Sequence, residues 1–391
     1  MERKMAFEIK PIKEVAKVFT GKTPSKSVSE YFGGDIPFVT PAELDKGHFV
    51  YSSAQTLSKR GAETIKLLPK NSVMVCCIGS LGKIGIAGRK LATNQQINSV
   101  VFDDKKVNFK YGFYALSRLK PLMEKIAPIT TIPIINKSSF EQLEMPIPPL
   151  EQQTHIANIL DHATSLIEKR KAQIAELDQL VQSVFLEMFG DPEQGNNLLR
   201  IGDLFSIIDG DRGKFYPKST DFLENGYCLF LNTKNVTKKG FNFEEKNFIS
   251  QNKDLELRKG KLQRNDIVLT TRGTVGNISI FDESIPYENI RINSGMVILR
   301  KVCNDLDKFY FIYAVRYFDF LKNYVSGSAQ PQLPISKLKE IKFNVPSIAK
   351  QNKFTQVVQK IETQKSQLQA SLAELELNYQ SLMQRAFRGD L

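Results

Sequence analysis

From Leu150 to Phe189 the chain runs forty residues with neither glycine nor proline, bounded by Pro148-Pro149 before it and Gly190 after it. A run of that length without a breaker predicts one long helix. Leu160, Ile167, Ile174, Val181 and Met188 recur every seven residues, and Ile156, Ala163, Leu177 and Val184 fill the adjoining row, which Arg170 interrupts. That spacing is a coiled-coil seam and requires a partner helix. The far end of the chain supplies one: Phe354, Ile361, Leu368, Leu375 and Leu382 repeat at the same interval, flanked by Val358, Leu372, Tyr379 and Ala386.

The two helices belong to a duplication. Pro148-Pro149-Leu150-Glu151-Gln152-Gln153 matches Pro346-Ser347-Ile348-Ala349-Lys350-Gln351, Ala175-Glu176-Leu177-Asp178 matches Ala373-Glu374-Leu375-Glu376, and Gln182-x-x-Phe185 matches Gln384-x-x-Phe387. Upstream, Gly79-Ser80-Leu81-Gly82 matches Gly273-Thr274-Val275-Gly276, and Asn98-Ser99 is paired with Asn293-Ser294. Matching landmarks in the same order imply two copies of one plan, a globule followed by a helix, joined head to tail.

Composition bounds what the globules can be. With 41% hydrophobic and 25% charged residues over 391 positions, the chain can hold two or three domains with real cores. No apolar run approaches the ~18 residues of a membrane span, and Met1-Glu2-Arg3-Lys4-Met5 lacks the apolar core of a signal peptide, so a cytoplasmic protein is expected. Cys76, Cys77, Cys228 and Cys303 show no metal-type spacing and read as reduced, buried thiols.

The net charge of +12 is uneven. Residues 1–150 carry 22 Lys and Arg against 13 Asp and Glu; residues 190–346 carry 23 against 19; the first long helix carries 3 against 6. Basic globules are what phosphate contacts require, although a merely soluble basic protein shares that signature.

Along the first globule, Ile36–Thr40 and Ser72–Ile78 read as strands, 41–53 as a polar, turn-rich stretch, Leu57–Ile65 as a short helix and Tyr111–Ile126 as one amphipathic helix. Thr20-Gly21-Lys22-Thr23-Pro24 imitates a phosphate loop, but Ala16 stands where the leading glycine belongs and Pro24 stops the helix that should follow. Past Gly190-Asp191-Pro192 and a short exposed linker, the second globule repeats the outline. Strands are expected near Tyr227–Leu231, Asp266–Thr271, Gly276–Phe281 and Gly295–Arg300, then an aromatic-rich helix over Lys308–Tyr324. The loops Gly210–Lys218 and Lys234–Lys246 show no close counterpart in the first globule, which suggests a shared scaffold carrying different recognition loops.

Lys83 and Arg272 flank the glycine pairs Gly79/Gly82 and Gly273/Gly276, where backbone can approach a phosphate or simply turn between strands. Gln330 and Gln332 present amides suited to adenine edges, or form a polar turn before the second helix. His155 and His162 lie about 10 Å apart along a helix, too far to clamp one metal, and His48 stands alone. No nucleophile–base–orienter set, nuclease-like carboxylate cluster, glycine-rich cofactor loop or Asn-Pro-Pro-aromatic motif is present, so the sequence reads as non-catalytic.

The doubled Pro-Pro-Leu-Glu-Gln-Gln-like segment, the two long helices with Gln-x-x-Phe near their ends, Phe189-Gly190-Asp191-Pro192 and Gly21-Lys22-Thr23-Pro24 together resemble the specificity subunit of type I restriction-modification enzymes over essentially the whole chain. One departure is Pro346-Ser347-Ile348-Ala349-Lys350-Gln351, which lacks the acidic residue of the first copy. The resemblance implies a mixed α/β (α+β) fold with an internal pseudo-two-fold repeat: target-recognition domains at 1–149 and 199–346, long antiparallel helices at 150–189 and 347–391, and a linker at 190–198. It implies that each domain reads one half of a bipartite asymmetric DNA site, with the helices as spacer, about 60 Å for forty residues, and as docking element for two methyltransferase subunits. The subunit itself would bind no cofactor. S-adenosylmethionine for adenine-N6 methylation, and the ATP and Mg²⁺ of associated restriction subunits, belong to its partners. DNA contacts are then expected among Lys22, Thr23, Lys26, Lys83, Arg89, Arg212, Lys214, Lys218, Lys234, Arg272, Gln330 and Gln332. The competing reading is a coiled-coil adaptor that binds only proteins.

Overall fold

The computed structural model describes residues 7–128, 132–318, 320–327 and 330–391. The chain is two mixed α/β domains joined by long helices, Leu150–Phe189 and Ile348–Arg388. It divides into two compact units, Met1–Lys171 with Ala370–Leu391, and Ala172–Gln369.

In the first unit, strands Ala16–Thr20, Ile97–Phe102, Val73–Cys76, Ile84–Ala87 and Phe49–Val50 form one sheet in that order. Gln55–Leu57, Phe32–Val39 and Ala92–Thr93 form a second. Val73–Cys76 is buried on both faces, as its unbroken apolar run requires. Val73 and Val75 join the cluster that includes Tyr111 and Tyr114, while Met74 and Cys76 join Val39, Leu44 and Leu91 on the other side. The stretch expected to be only turns, 41–53, contributes Phe49–Val50, which pairs parallel with Ile86 and Ala87. The single helix expected over Tyr111–Ile126 is two, Phe109–Ser117 and Lys120–Ile126. Pro121 sits in the first turn of the second piece, because its missing N–H and its ring are incompatible with continuing the first.

The second unit repeats this topology. Phe205–Asp209, Met296–Lys301, Ile267–Thr270 and Ile278–Ile280 form a sheet in the same order, and Phe248–Ile249, Cys228–Leu231 and Ile290–Ile292 form its companion. Both companion sheets have one antiparallel and one parallel pairing. The aromatic helix again breaks early, as Lys308–Phe318 followed by a 3-10 turn at Phe320–Tyr324. The linker after Gly190 is tied down: Glu193 accepts hydrogen bonds from Asn323 and Tyr324, and the Pro192 carbonyl accepts from the Asn344 amide.

Each unit borrows from both long helices. Ile156, Ala157 and Leu160 meet Ala386 and Phe387 in the first core; Val181 and Phe185 meet Phe354, Val358 and Ile361 in the second. Within each unit the two helix segments run antiparallel, with Lys171 paired to Glu376 in the first and Lys365 to Asp178 in the second. Of the seam residues, Leu160, Ile167, Val181 and Ile361 are buried, whereas Ile174, Leu368, Leu375 and Leu382 are half-buried. Leu160 packs into the first globule core, and Val181 and Ile361 into the second.

The doubled glutamine motif has a structural task. Gln153 is fully buried; its Nε2 donates to the carbonyls of Lys106 (2.9 Å) and Pro148 (2.7 Å), and its Oε1 accepts from the Asn108 amide (2.9 Å). Gln351 repeats all three bonds, to Asp305 (2.8 Å), Pro346 (2.7 Å) and the Asp307 amide (2.8 Å). Asn108 and Asp307 in turn accept from amides in the first turns of the two aromatic helices. Gln153→Leu or Gln351→Leu keeps the volume but strands a buried amide and two carbonyls. Each should lower unfolding free energy by about 1–3 kcal/mol in urea titrations of the full chain; an unchanged midpoint would contradict this account.

Candidate nucleic-acid interface

In the first unit, strand Ala16–Thr20 runs antiparallel to Ile97–Phe102, which runs antiparallel to Val73–Cys76, which runs antiparallel to Ile84–Ala87. The loops 21–25, 94–96 and 77–83 therefore emerge at one end of the sheet. The second unit gathers 210–213, 293–295 and 271–276 in the same way.

Backbone geometry fixes which residues correspond. Gly21 and Gly210 each follow the first sheet strand, and a Cβ there would lie 2.1 Å from the Asn94 carbonyl oxygen or 2.2 Å from that of Asn293. The loop expected to lack a counterpart thus has one at its root, and diverges only after the glycine. The sequence match of Asn98-Ser99 with Asn293-Ser294 is four residues out of register. Asn94 is the equivalent of Asn293, since the side-chain oxygens of Asn94 and Asn293 accept from the amides of Gln96 and Gly295 in the same turn.

On this frame the side chains differ. Thr23 Oγ donates to Gln95 Oε1 at 2.6 Å, while the corresponding Arg212 donates to the Ser294 carbonyl at 3.3 Å and pairs with Asp209 at 3.0 Å. Asp211 holds the second loop: burial alone would raise its pKa, but the amides of Gly213 (2.9 Å) and Arg258 (2.7 Å) more than offset that and keep the carboxyl below its usual range. Lys22 is exposed with its amide committed to the Thr93 carbonyl, which closes the phosphate-loop reading. Lys26 and Lys218 follow farther along the two loops and are exposed; Lys214 lies 4.8 Å from the Phe215 ring centroid. Lys234 joins the second cluster through its neighbour Thr233, which approaches Gly295, and pairs with Glu245 at 3.1 Å. Arg89 does not join: it follows Ile84–Ala87 at the opposite end of the sheet.

The glycine pairs are tight turns. Gly79, Gly82, Gly273 and Gly276 all have positive φ, and their amides donate to the carbonyls of Pro133, Cys76, Pro331 and Thr270. No backbone donor at these four positions is left over for a phosphate. Arg272 is exposed beside the turn and lies opposite Gln332 in a β-bridge, so residues sixty apart in sequence share the site. Lys83 is half-buried and lines a cavity of about 390 Å³ with Asp45, Lys120 and Glu124.

Gln95, Ser294 and Thr233 are the positions that sequence reading missed. For Gln95 the signal was the polar turn Asn94-Gln95-Gln96 between Leu91-Ala92 and Ile97. His48 is half-buried: it packs against the rings of Phe113 and Tyr114, 3.9 Å from Asp161, and burial pushes its pKa down. Among the described residues no group of His, Cys, Asp and Glu could hold a metal, and no helix is long and apolar enough to cross a membrane. Cys76, Cys77 and Cys228 are buried free thiols and Cys303 is half-buried; burial pushes Cys77 and Cys228 up to about 12.

One α/β framework is used twice, with sheet-end loops of different chemistry. The family model for the type I restriction modification DNA specificity domain matches residues 5–179 and again 193–377, so the chain belongs to that family. It is similar to the MjaIX specificity subunit of Methanocaldococcus jannaschii, at 26% identity over 90% of this chain and 86% of that one. It also resembles the HindI specificity subunit of Haemophilus influenzae, at 30% over 44% and 39%. The fold is shared with the crystal structure of an S subunit from M. genitalium (TM-score 0.56, 20% identity, 99% and 97% covered). A chain from a structure of type I R-M complex assembly and conformational transition is also similar (TM-score 0.64, 16%, 99% of both). Family membership makes this chain a homologue of non-catalytic specificity subunits.

The blocked glycines give a stability order. Gly21→Ala and Gly210→Ala force a carbonyl aside, whereas a Cβ at Gly273 meets nothing and carries only the left-handed backbone cost of about 1–2 kcal/mol. Urea unfolding should place both Gly21→Ala and Gly210→Ala below Gly273→Ala; the reverse order would contradict the assigned close approach.

Proposed function

We propose that the chain is the DNA-reading subunit of a type I restriction-modification complex, in which each unit reads one half of a bipartite asymmetric site through its sheet-end loops. The observation that carries this reading is the recurrence of one loop cluster on one framework with the side chains exchanged: Thr23 and Gln95 against Arg212 and Ser294. A duplicated scaffold supports a repeated task, and divergent loops support two different targets. Lys22, Lys26, Lys83, Lys214, Lys218 and Lys234 supply phosphate contacts, which set register and affinity but carry no sequence information. Arg89 plays no part in the cluster and is set aside.

The long helices dock the methyltransferase subunits, in a pseudo-two-fold arrangement that follows from the repeat. Leu166 and Leu377 in the first unit, and Leu180 and Leu186 in the second, leave apolar surface on those helices 45–66% exposed, which suits a protein partner. Adenine-N6 methylation with S-adenosylmethionine is then the partners' chemistry, as is ATP- and Mg²⁺-dependent restriction, and the complex works in the cytoplasm. A protein-only adaptor would also use these helices, but it gives no reason for basic globules with loops that diverge at one sheet end.

Binding to duplex DNA, measured with and without a methyltransferase partner, separates the two. The logarithm of the affinity should fall linearly with log salt, and Lys22→Ala or Lys214→Ala should each flatten that slope by about one ion without changing the preferred sequence. A chain that assembles with the methyltransferase but binds no DNA in either state would establish the adaptor instead.

A further inference from the structure

The two loop clusters are closed by the same β-bridge carrying opposite chemistry. In the first unit, Gly79 N donates to the Pro133 carbonyl and Ile135 N to the Cys77 carbonyl, both at 2.9 Å, which sets Ile78 opposite Ile134. In the second, Gly273 N donates to Pro331 at 3.1 Å and Leu333 N to Thr271 at 2.8 Å, which sets Arg272 opposite Gln332. The proline is kept, the bonds are kept, and the cross-strand pair changes as a set from Ile–Ile to Arg–Gln. Directly opposed residues on a bridge share one surface patch, so each pair acts as a unit.

Exposure of an isoleucine is ordinary by itself, and the 47% exposure of Ile134 decides nothing alone. What decides is the exchange at a fixed position. A pair serving phosphates in both units would keep a cation in both, and isoleucine neutralises nothing. A backbone role is closed because the turn amides are used internally. Gln332 spends its backbone N–H and C=O on Ser326, and the side chains of Gln332 and Arg272 are both exposed. In the major groove the thymine 5-methyl is the apolar feature, while purine N7 with O6 or N6 forms the edge that guanidinium and carboxamide groups match.

Resting on the DNA-reading function above, we propose that this bridge is a base-reading position in each unit. Ile78 and Ile134 select a thymine methyl in one half-site; Arg272 and Gln332 hydrogen-bond a purine edge in the other.

The test uses the full chain with its methyltransferase and the site mapped by sequencing methylated adenines. Deoxyuridine, thymine without its methyl, is scanned through both half-sites, and 7-deazapurines likewise. The intact protein should bind about three- to fourfold more weakly at one deoxyuridine position, as expected for one methyl, and only in the half read by the first unit. The loss should vanish in Ile78→Arg/Ile134→Gln, whose mapped site should change at that position and nowhere in the other half. Arg272→Ala/Gln332→Ala should abolish sensitivity to one 7-deazapurine position in the second half. Because modified DNA probes the unaltered protein, misfolding of a variant cannot mask the answer. Site-specific binding indifferent to every deoxyuridine and 7-deazapurine would overturn this inference alone; absence of site-specific binding altogether would overturn the DNA-reading function with it.

Discussion

A buried carboxamide stands at the join between globule and helix in each unit, and most of the architecture depends on it. Gln153 gathers the carbonyl ahead of the long helix, the carbonyl of Lys106 and the amide of Asn108, the residue that caps the aromatic helix behind the sheet. Gln351 does the same with Pro346, Asp305 and Asp307. An amide offers one acceptor and two donors in a plane, and here all are used inside the protein, so helix direction and sheet cover are fixed together. Lys350 replaces Gln152 and Ala349 replaces Glu151 in the second copy without touching this arrangement. The clamp explains why the final glutamine recurs, whatever the exposed neighbours do.

The long helices were legible because forty residues without a breaker and a seven-residue apolar period have few alternative structures. The sheet strands were legible as apolar runs between turn residues. Correspondence between the copies was harder. Identity matched Asn98 to Asn293, yet the structurally equivalent residue is Asn94, because what recurs is a turn closed by an asparagine side chain and not a dipeptide. Gly21 and Gly210 were separated for the same reason: the residues after them differ, while the requirement for a missing Cβ is imposed by a carbonyl more than seventy positions away. The amphipathic pattern over Tyr111–Ile126 concealed a break that Pro121 announces. Arg272 and Gln332 were both noted as candidates, but their juxtaposition rests on a bridge that no local pattern records.

Shared core and divergent rim divide the work. Tyr111 and Tyr310 donate to equivalent carbonyls, of Pro146 and Asn344, and pack against Phe387 and Phe185 from the ends of the two long helices. These contacts tolerate little change, since both tyrosines and Phe185 are fully buried and Phe387 is nearly so. The sheet-end loops bear no such constraint beyond their anchoring glycines and asparagines. Side chains there differ between Ile, Gln, Arg and Thr while the strands behind them stay the same, so the loop chemistry can change without refolding the domain.

The central claim, two independent readers on one repeated framework, is tested most directly by exchanging residues 199–346 for the equivalent segment of a relative with a different target, then mapping methylated adenines. The account predicts a hybrid site in which one half-sequence is replaced and the other is unaltered. Changes in both halves, in a protein that still assembles and methylates, would contradict it.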